Sequence, residues 1–132
     1  MNKSALATTL FALAAFSAAA SAAPETFNID AGHTLPRFEY NHLGYSFQQH
    51  RFDKTSGRIV LDRAAKTGSV DVTIDATSIE TGVADRDAHL KSADFLDVEK
   101  FPELTFRSRR IEPKGGDRSN HFFLIGDLTI RG

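Results

Sequence analysis

Five histidines, His33, His42, His50, His89 and His121, are the side chains in this sequence best suited to acid–base or metal chemistry. No two of them have the i,i+4 or short x-separated spacing of a zinc signature. His42 and His50 are spaced to meet across a hairpin, with His89 approaching from a later segment. Otherwise each histidine serves as a turn cap or a backbone partner. There is no cysteine, which removes thiolate nucleophiles and thiolate metal sites. Nucleophile elbow, phosphate loop and dinucleotide fingerprint are all absent. These features point to a protein that is not an enzyme. The remaining polar constellation is the mixed-charge run Asp85, Arg86, Asp87, Lys91, Asp94 and Asp97. Most such runs are solvated surface. A sharper expectation is that Arg86 and Asp87 form a fixed pair anchoring their segment to a sheet.

The elements that must hold these residues follow a leader. Lys3 is followed by an uncharged Ala-rich stretch, Ala5 to Ala20, and by the small-x-small triplet Ala20-Ser21-Ala22. This is the pattern of a cleavable secretory signal over residues 1–22, not a membrane span, and it places the protein in the periplasm. Residues 23–132 then form one domain. The formal charge is −1, and loss of Lys3 takes it to −2. That balance offers no footprint for nucleic acid or for anionic membrane surfaces. Without cysteine, a secreted domain must be held by its core.

Alternation of apolar and polar residues dominates the domain. Phe38, Tyr40 and His42 share one strand face, opposite Arg37, Glu39 and Asn41. Val70, Val72 and Ile74 alternate with Asp71, Thr73 and Asp75. Arg58–Asp62, Leu104–Arg109, His121–Ile125 and Asp127–Arg131 are further strands, with a bulge at Gly126. Turns are expected at Lys54–Gly57, Lys66–Gly68 and Pro113–Asp117. The fold class is therefore all-β with one short helix, an antiparallel barrel or sandwich.

Ser78–Phe106 breaks this rhythm. From Val83 to Ser92 the β-branched residues thin out, Asp87 and Lys91 sit at i,i+4, and Thr81 is placed to cap a helix. Pro102 forces an extended Phe101 and ends the crossover.

Several segments carry a resemblance. They are Asp30–Thr34, His42–Phe47, Thr73–Thr81, Arg86–Asp97, Phe101–Phe106 and Gly126–Gly132. In order and spacing they resemble the YceI-like family of secreted bacterial proteins. The resemblance implies a lipocalin-like antiparallel β-barrel whose apolar lumen holds a polyisoprenoid, such as a quinone or prenyl-lipid tail. It implies no cofactor beyond that ligand. Inward-facing candidates on the alternation are Phe38, Tyr40, Val70, Val72, Ile74, Leu104 and Phe106. Phe47, Leu90, Phe95, Phe101 and Leu128 complete the lumen candidates. His42, Arg86, Asp87 and His89 are structural residues of the family motifs. Leu90, Phe95, Leu96 and Phe101 are placed to cover one end of the barrel.

Family members continue beyond the Gly-Asp-Leu-Thr-Ile-x-Gly motif, whereas this chain ends on it. The expectation is an open barrel lacking its C-terminal strands, with an unpaired edge that invites aggregation or a homodimer. Three functions stand beside one another: a periplasmic carrier or store of an isoprenoid lipid, a secreted β protein for protein–protein contact or stress protection, and a histidine-dependent metal binder or hydrolase.

Overall fold

A computed structural model describes residues 23–114 and 121–132. The leader expected at 1–22 and most of the turn expected at 113–117 lie outside the described residues. The chain runs β1 (Glu25–Asn28), β2 (Arg37–His42), β3 (Ser46–Phe52), β4 (Thr55–Asp62), β5 (Thr67–Asp75), a 3₁₀ turn at Ala76–Ser78, β6 (Ile79–Glu80), α1 (Ala84–Lys91), β7 (Glu103–Pro113) and β8 (Phe122–Thr129). One sheet has the order β1-β4-β5-β7-β8 and the other β2-β3-β6. Every strand pair is antiparallel. Among the described residues the two sheets do not close, since β1, β8, β2 and β6 each pair on one side only.

The sheets meet at one end. Phe52 and Ile79 from the three-stranded sheet are buried with Leu104 of β7 and Ala76 of the 3₁₀ turn. Phe38, Ile74, Leu90, Leu96 and Val98 pack against them. The backbone locks this corner: Asp53 N–H donates to Ser78 O at 3.0 Å, and Ala76 N–H to Pro102 O at 2.8 Å.

Three local expectations change. Lys54–Gly57 is not a turn, because β4 already begins at Thr55. Gly57 belongs to the strand, with φ +153 and the Asp71 carbonyl so close that a Cβ would sit 2.2 Å from it. The extra residue of the bulge is not Gly126 but Arg109, on the facing strand: Ser108 opposes Gly126 and Arg110 opposes Ile125. Thr81 does not cap α1 through its side chain. The N-cap is Val83, and Asp87 reaches back to accept from Thr81 N–H at 2.9 Å and from its hydroxyl at 2.6 Å.

Candidate functional site: an apolar trough closed at one end

Residues directly opposite in a ladder share a face, and each strand shows that face at every second residue. Starting from Ile74, the register carries one apolar surface across the five-stranded sheet. Ile74 opposes Leu104 and Val72 opposes Phe106; Phe106 in turn opposes Leu128. Val70 opposes Ile59, which opposes Phe27. Beyond the bulge, Ile111 opposes Leu124. On the three-stranded sheet, Phe38 opposes His50, and Tyr40 opposes Gln48. The two surfaces converge on the core at Leu104, Phe38 and Phe52 and form a trough.

Burial falls along the trough. Leu104 at the closed end is 6% exposed, whereas Tyr40 is 37% and Leu128 60% exposed. Val70, Val72, Ile74 and Phe106 are half-buried between these extremes. Leu90, Leu96 and Val98, from α1 and the loop after it, plug the closed end. The outer face is of opposite character: Arg58 stands 3.7 Å from Asp71 and Arg109 2.6 Å from Asp127. The hydrogen bond from Arg109 to Asp127 raises the guanidinium's pKa above its ordinary value.

Three lumen candidates stand elsewhere. Phe47 opposes Asn41, which puts it on the outer face of β3, 66% exposed. Phe95 is 47% exposed with its ring edge-on to His89 at 4.9 Å, outside the plug. Phe101 is half-buried and lies beside Gly132 rather than in the core cluster. Phe27, Ile59, Ile111 and Leu124 join the trough through strand pairing, which the pattern within one strand does not reveal.

The polar candidates are dispersed. His42 opposes Ser46 beside the hairpin loop, while His50 opposes Phe38 four residues further along β3, so the two do not meet. His89 pairs with Asp94 at 3.6 Å on the surface. Among the described residues no group of three or more His, Cys, Asp or Glu side chains could hold a metal ion. Arg86 and Asp87 do not pair with each other. Asp87 holds Thr81, and Arg86 Nη1 lies 3.4 Å from His50 Nε2. His50 is buried, with its ring 5.6 Å from those of Phe38 and Tyr40. At the corner, Asp75 accepts from the Thr77 hydroxyl at 2.6 Å, and this bond chiefly holds the carboxyl below its ordinary pKa. No helix among the described residues is long and apolar enough to cross a membrane.

Comparison with known proteins agrees with this geometry. A YceI-like domain profile matches residues 27–132. A UPF0312 protein of Vibrio parahaemolyticus is 37% identical over 133 aligned positions, covering 100% of this chain and 69% of its own. Another from Shewanella baltica is 38% identical over 115 positions, covering 86% of this chain and 59% of its own. The crystal structure of Burkholderia cenocepacia BcnA superposes with a TM-score of 0.64 at 29% identity, over 73% of this chain and 58% of that one. The Campylobacter jejuni YceI protein gives 0.59 at 34% identity, over 79% and 60%. This chain therefore spans under two thirds of the solved structures it resembles. On the profile match and the shared fold, the chain belongs to the YceI-like family.

Proposed function

We propose that the protein binds the tail of a long-chain polyisoprenoid lipid, of quinone or prenyl-lipid type, along the trough, as a periplasmic carrier or store. The observation that carries this reading is the continuity of the apolar face from Leu104 through Phe106 to Leu128, plugged at one end and open at the other. A polyprenyl tail has no hydrogen-bonding group, so its affinity must come from burying apolar surface. At roughly 25 cal/mol per Å², about 400 Å² of buried surface supplies on the order of 10 kcal/mol before the costs of association. The family resemblance supports the ligand class, and the signal-like sequence pattern over residues 1–22 supports the compartment. Native mass spectrometry and solvent extraction of the purified protein test the reading. A co-purifying polyprenyl compound is expected; a protein that is empty, and stays empty when offered such lipids, overturns it.

A second reading, contact with another protein, is favoured by one observation: Phe122 and Phe123 of β8 are half exposed beside an edge that is unpaired among the described residues. Sedimentation analysis separates the two. Concentration-dependent association that persists after lipid loading favours contact; association that disappears on loading favours the trough.

A further inference from the structure

We infer that Arg86 and His50 form an end-group site at the closed end of the trough, one that receives an oxyanion, phosphate or carboxylate, at the terminus of an apolar chain. This inference rests on the tail-binding reading and adds a direction to it, since the polar end enters first. His50 lies on the inner face of β3, opposite Phe38 and in line with Phe52. Its ring is buried between Phe38 and Tyr40. Arg86 reaches it from the first turn of α1, with Nη1 3.4 Å from Nε2. A guanidinium has donors only, so this contact is a hydrogen bond only when His50 Nε2 is unprotonated and accepts. The proton of the neutral ring is then on Nδ1.

The pair is electrically incomplete. Among the described residues no carboxylate lies within ion-pair distance of Arg86. Its sequence neighbour Asp87 is committed to Thr81. Among the described residues this half-buried guanidinium has one polar side-chain contact, His50, and no counter-charge. The donors of Arg86 that His50 does not use form a fork suited to two oxygens of one oxyanion. A cleft of about 390 Å³ on the other side of β3, lined by Arg37, Gln49, Arg51, Glu80 and Thr81, borders His50 as well.

The test compares three ligands with one tail: geranylgeranyl phosphate, geranylgeranoic acid and geranylgeraniol, titrated calorimetrically into the intact protein. At least one of the two acids should bind about tenfold or more tightly than the alcohol, as charge-assisted bonds require. Arg86→Gln should abolish that preference, weakening the acids about tenfold or more relative to the alcohol. Where Arg86→Gln does not fold, Arg86→Met serves: it keeps the apolar stem, removes the charge and every donor, and should lose the preference. Equal affinities in the unaltered protein, or a preference that survives in the variant, overturn the end-group site while the tail-binding reading stands. Failure of all three ligands to bind overturns both.

Discussion

The ring of Phe106 leans across the β7–β8 ladder onto the bare backbone of Gly126. A methyl group on Gly126 would stand 2.7 Å from the ring's Cζ, 2.3 Å from the Arg107 carbonyl oxygen and 2.8 Å from the Ser108 Cα. The bulge at Arg109 turns β7 against β8 at this point, so only glycine fits beneath the ring. Gly126→Ala should lower stability by about 1–3 kcal/mol, because two of the three contacts are backbone that cannot swing aside. The midpoint of urea unfolding reads this directly.

Phe106 is also the centre of the proposed lipid surface, between Val72 and Leu128. Phe106→Glu places a charge where an apolar tail must lie. Loss of about 80 Å² of apolar contact corresponds to roughly 2 kcal/mol, or about thirtyfold in affinity. The same substitution at Phe47, on the outer face, should leave lipid affinity within about twofold of the unaltered protein. Fluorescence titration with a polyprenyl probe compares the two.

Asp97 joins the plug to the end of the β8 segment. Its carboxylate is buried, 3.4 Å from Lys100 Nζ and 3.9 Å from Arg131 Nη2. Arg131 also donates to the Phe95 carbonyl at 2.9 Å. The Asp97 backbone has φ +50, a left-handed conformation that Asp and Asn tolerate better than Ala. Asp97→Ala should therefore cost about 2–3 kcal/mol, and Asp97→Asn clearly less, since it loses charge but keeps the backbone preference. Thermal unfolding of the two variants should show this order.

The corner at Asp75 makes a pH-dependent contribution. Hydrogen bonds from Thr77, assisted by Lys54, hold its carboxyl below the ordinary value of 3.8. A depressed carboxyl stabilises the fold above its unfolded pKa, and that contribution is lost as pH falls through the folded value. Thr77→Val removes the largest cause. The variant should be less stable than the unaltered protein at neutral pH, and the difference should shrink as pH drops below about 4. Urea unfolding across that range follows the difference.

Particular residues show what sequence could carry. The alternation Val70, Val72, Ile74 locates β5, because a strand with one apolar face announces its period. The helix over Ala84–Lys91 is legible from the loss of that period. Phe47 stands on the outer face because the loop Leu43–Tyr45 sets the register of β2 on β3. Leu43 and Gly44 both have positive φ there, and a one-residue difference in such a loop sends every following side chain to the opposite face. Gly57 reads as a turn residue in sequence, yet it stands mid-strand because another backbone approaches it. The contact of Arg86 with His50 spans 36 residues, and no local signal pairs them. Its visible trace was the charge run, which pointed instead to Asp87.

The central claim is that the trough binds a tail by burying it, and tail length is the variable that tests this most directly. A series of prenyl alcohols from geraniol to geranylgeraniol shares one end group and differs by one isoprene unit per step. Calorimetric affinity should rise by about tenfold or more per unit until the trough is filled, since each added unit buries several carbons at roughly 0.8 kcal/mol per CH₂ before losses. An affinity that stays flat across the series would contradict the account.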